Sequence, residues 1–231
     1  MVNYPVEKGK APRFLPAKFH TQNFTLPKKY DASRWIVEPF RLFDCCMEND
    51  DAAAIVLVPA ERAKDLPHPP VFLLGAAQGS EYRNAAPSHN APIYASSSFT
   101  TAAPRLYASS GVGLQDVDMV QNYENFTGGV LKSLVEHDLL KAEEANEFLR
   151  LENLLAPDSR MTLNTSGGNL AECYMHGLEL QIEAIRQVCG GLTAHLTDGG
   201  MPLVCSGPMV TPESSCIFGS EATDGSIVLS T

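Results

Sequence analysis

Ala52-Ala53-Ala54-Ile55-Val56-Leu57-Val58 is the longest apolar run in the chain, and Pro59 ends it. With no polar residue alternating through it, a strand built from this run buries both faces, as in a parallel or mixed sheet flanked by helices. It falls well short of the roughly 20 residues that cross a bilayer, so no membrane span is expected. A doubly apolar strand needs a sheet around it, and the preceding residues offer none. Positions 1–35 are rich in Pro and Lys with isolated aromatics (Tyr4, Phe14, Phe19, Phe24, Tyr30, Trp35) and no sustained period, the pattern of an irregular arm. The strand at 52–58 is therefore expected to find partner strands on another polypeptide, within an obligate complex.

Beyond that strand the elements alternate. A short helix is expected over Glu61 to Asp65, then the linker Asp65-Leu66-Pro67-His68-Pro69-Pro70, then a second buried strand from Val71 to Ala77. Val117 to Val120 reads as a short strand. Val130, Leu131, Leu134 and Val135 recur at helical spacing, and the Glu-rich stretch Ala142 to Leu151 is helix-forming with a solvated face. Leu178, Ile182, Ile185 and Cys189 predict the core stripe of another helix, stopped by Gly190-Gly191. Met201 to Cys205 and Ser226 to Ser230 suggest a closing antiparallel pair. The sum is a layered α/β protein.

Charge narrows the partners. Seventeen Lys and Arg against 27 Asp and Glu leave a net charge of −10, which disfavours binding a phosphate backbone through a broad basic surface. Nucleic acid is not an expected partner. The start, Met1-Val2-Asn3-Tyr4-Pro5-Val6-Glu7-Lys8, lacks the charged-then-apolar order of a secretion signal, so a cytoplasmic location is expected. The six cysteines then read as thiols. With no Cys-x-x-Cys pair and scattered histidines, no metal site is expected from this chain alone.

The segment Asn164-Thr165-Ser166-Gly167-Gly168-Asn169-Leu170-Ala171-Glu172-Cys173-Tyr174-Met175-His176-Gly177 concentrates the chemistry. A Gly-Gly pair lets a ligand approach the backbone, and the helix start that follows offers N–H donors to an anionic or carbonyl oxygen. Taken alone, such a pair is more often a plain turn, Tyr174 a buried aromatic with a satisfied hydroxyl and Cys205 an inert core thiol.

In its order of motifs the chain resembles the thiolase superfamily, and within it the lipid-transfer-protein (sterol carrier protein) branch. The residues that carry the likeness are Asp44-Cys45-Cys46 through Ala54, Tyr123-Glu124-Asn125-Phe126-Thr127, the Gly167–Gly177 loop and Cys205-Ser206-Gly207. The resemblance implies a mixed five-stranded sheet with helices on both faces over residues 71–231, the C-terminal thiolase domain. It makes residues 36–70 the last strand and helix of the N-terminal thiolase domain plus a linker, preceded by the arm at 1–35. It covers the C-terminal part of a thiolase only, and no cysteine here occupies the place of the family's nucleophile.

Two positions depart from the family pattern. Tyr174 stands where thiolases carry the histidine of Gly-His-Pro, and Tyr123 where they carry Asn or His. A phenol near pKa ~10 activates a thiol poorly beside an imidazole near ~6.5, which argues against ordinary Claisen chemistry. Two tyrosines suit retro-aldol cleavage of a 3-hydroxyacyl-CoA, in which one group takes the hydroxyl proton and another stabilises the forming enolate. Which tyrosine is acid and which is base stays open from sequence. The pattern resembles the steroid side-chain-cleaving aldolases of that branch. This implies Tyr123, Tyr174 and Cys205 as catalytic residues, and Asn125, Gly167, Gly168, His176 and Gly207 as substrate-binding residues. It further implies a coenzyme A thioester as substrate, with no covalently bound cofactor. The implied partners are an N-terminal thiolase half or equivalent subunit and an OB-fold, zinc-ribbon protein. Two alternatives remain: an acyltransferase subunit whose nucleophilic cysteine lies on a partner, with Cys205 as the acid, and a non-catalytic architectural half.

Overall fold

Four longer strands and one short one build the central five-stranded sheet. A two-stranded hairpin, β1 (Trp35–Val37) with β2 (Phe40–Arg41), stands apart from it. In the sheet, β3 (Phe72–Gly79) runs antiparallel to β7 (Glu213–Gly219), and β7 antiparallel to β6 (Met201–Ser206). β4 (Val117–Asn122) lies parallel to both β6 and β5 (Thr162–Leu163). The computed structural model describes residues 30–63, 65–80, 98–154, 161–190, 200–207 and 212–224.

The period of two along each strand sends successive side chains to opposite faces, and both faces are covered. Val120, Leu203, Cys205 and Ile217 meet Phe99 and Leu106 of α1 (Phe99–Ser110) and Val130 and Leu134 of α2 (Thr127–Glu136). Val204 and Phe218 point the other way, onto Leu180, Ala184 and Val188 of the helix Leu178–Cys189. Pro202 through Cys205 are all buried, as a central strand with helices on each side requires. The expected mixed five-stranded sheet with helices on both faces is thus the observed architecture.

Several local expectations are corrected. The stripe Leu178, Ile182, Ile185 and Cys189 is only half-buried; the residues that face the core are Glu179, Leu180, Glu183, Ala184, Gln187 and Val188. Hydrogen bonding is the reason. Glu183 accepts from Thr165 Oγ1 at 2.5 Å and from Gln187 Nε2 at 2.8 Å, so a carboxylate takes an inward position that apolar periodicity assigns to a hydrocarbon. The helix expected over 142–151 is broken into a 3-10 turn, Ala142–Glu144, and a single helical turn, Ala145–Phe148. The helix expected over 61–65 is the turn Ala60–Ala63. β6 closes against Glu213–Gly219 rather than Ser226–Ser230, which lies outside the described residues.

The run at 52–58 forms no strand or helix and joins no ladder among the described residues, and Val56 and Leu57 are 84% and 85% exposed. Among the described residues no strand lies beside it, so the buried strand expected there is not seen. All six cysteines are thiols. No helix among the described residues is long and apolar enough to cross a membrane.

Candidate active site

Tyr123 is the first residue past β4. Its N–H donates to the Cys205 carbonyl at 2.9 Å, carrying the β4–β6 pairing one residue further, and its ring joins the cluster of Leu180, Ala184, Val204 and Phe218. Tyr174 arrives from the other direction, out of the loop after α3 (Gly168–Ala171), with its N–H donating to Asn49 Oδ1 at 2.7 Å. The two phenols meet: Tyr123 Oη donates to Tyr174 Oη at 2.8 Å, with ring centroids 6.0 Å apart. The exposed His176 ring lies 4.7 Å from the Tyr174 ring and tilted by 38°.

Buried polar groups hold this meeting in place. Asn164 copies a strand partner, its Oδ1 accepting from the Asn122 N–H at 2.5 Å and its Nδ2 donating to the Asn122 carbonyl at 2.8 Å. The chain then turns through Gly167 and Gly168, at φ of +100° and +57°, into α3. The Glu124 carboxylate fills the space where a Gly168 side chain would stand, and it accepts from the Leu170 N–H at 3.2 Å and Asn169 Nδ2 at 3.1 Å. Gly168 is therefore glycine on two counts, backbone conformation and close approach. Past Tyr174, the Glu179 carboxylate accepts from the N–H groups of Met175 and Gly177 and fixes the turn that begins the helix α4 (Leu178–Cys189).

Burial shapes the titration of these groups. Desolvation pushes Glu124 up to about 8 against the opposing pull of its hydrogen bonds, and pushes Glu172 and Glu179 up to about 7. Tyr123 is driven well above the ordinary tyrosine value, by burial first and by its hydrogen bond to Tyr174 second, so it is a proton donor at neutral pH. Burial also raises Cys46 to about 11 and Cys173 to about 12, which keeps both as thiols.

A cleft of about 640 Å³ opens beside Tyr174, walled by Glu48 to Ala53 and by Tyr174, Met175, His176 and Leu178. Tyr174 lines it while Tyr123, 5% exposed, sits behind. Gly167 and Gly168 form the turn that leads to Tyr174, and Gly207 follows β6 at φ +78°. Asn125 is turned to its own loop, with its Oδ1 accepting from the Phe126 N–H at 3.0 Å and its carbonyl accepting from the Cys46 N–H at 2.9 Å.

Cys205 is not with the tyrosines. The alternation of β6 sends its side chain to the opposite face of the sheet, fully buried, with its sulfur 3.8 Å from His137 and among the residues that pack on α1 and α2. Burial lifts its thiol far above the usual cysteine value and lowers His137 to about 4, so neither is charged at neutral pH. Sequence reasoning passed over the carboxylates of Glu124 and Glu179 and the acidic wall at 48–51. Glu124 stood inside a quoted motif, and a glutamate flanked by buried positions was its only signal.

The sequence matches the family described as thiolase C-terminal domain-like over residues 79–217. The chain belongs to that family. A steroid side-chain-cleaving aldolase from Thermomonospora curvata is 39% identical over 222 residues, covering 94% of this chain and 55% of that protein. A 17-hydroxy-3-oxo-4-pregnene-20-carboxyl-CoA lyase from Mycobacterium tuberculosis is 35% identical over 205 residues, 88% of this chain and 52% of that protein. Among solved structures, the Ltp2-ChsH2(DUF35) aldolase superposes with a TM-score of 0.75 at 36% identity, over 84% of this chain and 51% of that one. This thiolase-family chain thus spans about half the length of the curated relatives it matches.

Proposed function

We propose that the chain carries the acid/base half of a thiolase-fold lyase that cleaves a 3-hydroxyacyl-CoA by a retro-aldol reaction. The observation that carries this reading is the hydroxyl pair of Tyr123 and Tyr174, 2.8 Å apart, with Tyr174 lining a cleft. Relatives at 39% and 35% identity named as a steroid side-chain-cleaving aldolase and a CoA lyase support the same chemistry.

The pair divides the work. Tyr174, lining the cleft, meets the substrate's 3-hydroxyl as the phenolate and takes its proton, becoming the neutral phenol. Tyr123, held protonated behind it, donates the hydrogen bond that stabilises the oxygen of Tyr174 as charge moves. As the hydroxyl becomes a carbonyl, the bond between C2 and C3 breaks and its electrons pass into the thioester as an enolate. Return of the proton to C2 releases a ketone or aldehyde and a shortened acyl-CoA. No external oxidant or water is consumed. His176, its ring tilted against that of Tyr174, orients it, and the turn through Gly167 and Gly168 sets the path of the loop that carries Tyr174.

The acidic wall of Glu48, Asp50 and Asp51 repels the phosphates of coenzyme A, so the nucleotide enters away from that side and only the acyl portion passes it. The exposed Val56 and Leu57 and the half-buried outer stripe of α4 fit an assembly in which the N-terminal half of the thiolase fold covers them, on this or another polypeptide. An OB-fold, zinc-ribbon protein completes the proposed complex, in keeping with the two components that the solved Ltp2-ChsH2(DUF35) aldolase joins.

The test is product analysis. The purified complex, incubated with a 3-hydroxyacyl-CoA, releases equal amounts of a carbonyl compound and a shortened acyl-CoA. Acyl transfer to free coenzyme A without carbonyl release would replace the lyase with the transferase reading.

A further inference from the structure

We propose that Ser206, rather than Cys205, is the residue of the Cys-Ser-Gly motif that serves the tyrosine pair, its hydroxyl donating a hydrogen bond to the thioester oxygen of the substrate. The inference rests on the lyase reading above and adds a third hydroxyl to its site.

Three observations place Ser206 there. The first is register: β4 and β6 run parallel with Asn122 beside Cys205, and the Tyr123 N–H bonds the Cys205 carbonyl, so the next residue on each strand, Tyr123 and Ser206, are neighbours. The second is alternation. Val204 packs with Tyr123 and Leu180, Cys205 packs on the opposite face with α1 and α2, and Ser206 at the strand's end returns to the Val204 side. The third is contact with Gly177. A Cβ on Gly177 would lie 3.2 Å from Tyr123 Cδ2 and 3.3 Å from Ser206 Oγ, so the Tyr123 ring and the Ser206 hydroxyl pack against the same backbone position beside the Tyr174 loop. Gly177 sits at φ +92°, where any other residue is strained, and its lack of a side chain lets Tyr123 and Ser206 pack close against the start of α4.

Chemistry gives the hydroxyl its task. Cleavage moves a full charge onto the thioester oxygen, and the tyrosines are engaged with each other and with the 3-hydroxyl. A half-buried hydroxyl with no hydrogen-bond partner among the described residues has its proton free to turn toward that charge. Cys205 has no such opening: it is fully buried and its contacts are to His137.

The experiment compares the assembled complex carrying wild-type chain, Ser206→Ala, Ser206→Cys or Ser206→Thr, with two readouts. One is kcat for a 3-hydroxyacyl-CoA; the other is the Kd of the saturated acyl-CoA of equal length, which keeps the thioester oxygen but cannot be cleaved. The inference expects kcat to fall about tenfold to a hundredfold in the Ala and Cys variants, and Kd to weaken about threefold, with Thr close to wild type. Ala and Cys variants that match wild type in both readouts overturn it. Should the wild-type complex fail to cleave its substrate, the lyase reading fails separately and Kd decides: weakened binding in Ala and Cys, rescued in Thr, sustains the role of Ser206, and unchanged binding ends it.

Discussion

Tyr123 and Tyr174 lie 51 residues apart in the chain and meet hydroxyl to hydroxyl at 2.8 Å. The meeting follows from two devices of the fold. The parallel β4–β5 edge is prolonged by the Asn164 side chain, which bonds both backbone groups of Asn122, and the loop beyond it is pinned by Glu124, the residue next to Tyr123. One tyrosine is thus anchored by strand register and the other by a carboxylate that neighbours the first.

That anchoring predicts unequal costs for two glycines in the same left-handed conformation. Gly168→Ala drives a methyl into the Glu124 carboxylate and is expected to cost more than about 3 kcal/mol. Gly111→Ala, at φ +69° with nothing within 4 Å, meets only backbone strain of about 1 kcal/mol. Denaturant unfolding of the two variants checks the ranking. Equal losses would contradict the contact with Glu124.

Glu124 also sets a pH dependence. Its carboxyl titrates near 8 in the folded protein against 4.5 in the open chain, because burial disfavours the anion. Between those values the folded state binds more protons than the unfolded one, so stability falls as pH rises from about 5 to 8, by an amount on the order of a few kcal/mol. Glu172 and Glu179, raised to about 7, add to the lower part of that window. Glu124→Gln removes its share, and Asn169 Oδ1, which has no partner, is available to accept from the new amide. Melting temperatures measured from pH 5 to 8.5 are expected to fall less steeply in the variant; parallel slopes would contradict the assignment.

On α4 the buried face and the outer face separate stability from assembly. Leu180, fully buried between the helix and the sheet, is expected to lose 2–5 kcal/mol on replacement by alanine. Ile182, half-buried on the outer face, is expected to lose about 1 kcal/mol in the same measurement. A larger loss at Ile182 than at Leu180 would return the core to the stripe read from periodicity.

The exposed apolar run at 52–58 gives a further prediction. Val56→Asp with Leu57→Asp places two charges at positions now 84% and 85% exposed, so the fold of this chain is expected to hold while its association with the N-terminal half of the fold weakens at least tenfold. Native mass spectrometry of the complex reads this directly. An unchanged assembly would show that these side chains face solvent in the complex as well.

Much of the fold was legible in the sequence because it rests on hydrophobic pattern. β3 from its apolar run, α2 from Val130 to Val135 and the closing role of Met201 to Cys205 all follow from burial. What escaped rests on polar pairing. Glu183 and Glu179 turn α4 away from its most apolar stripe because each finds hydrogen-bond donors inside, and no periodicity reports a donor 18 residues away. The site divides in the same way. The two tyrosines were visible because they replace expected residues at recognisable positions, whereas the face of Cys205 depends on strand register, which shifts every side chain when it moves by one.

The measurement that bears most directly on the central claim is the turnover of a 3-hydroxyacyl-CoA by the complex assembled with wild-type, Tyr123→Phe or Tyr174→Phe chain. Each substitution removes a single hydroxyl and leaves the ring packing in place. The account predicts that Tyr174→Phe lowers kcat by about 10²–10⁴-fold, that Tyr123→Phe also lowers it but by less, and that both complexes stay assembled. Near-normal turnover in both variants would contradict it.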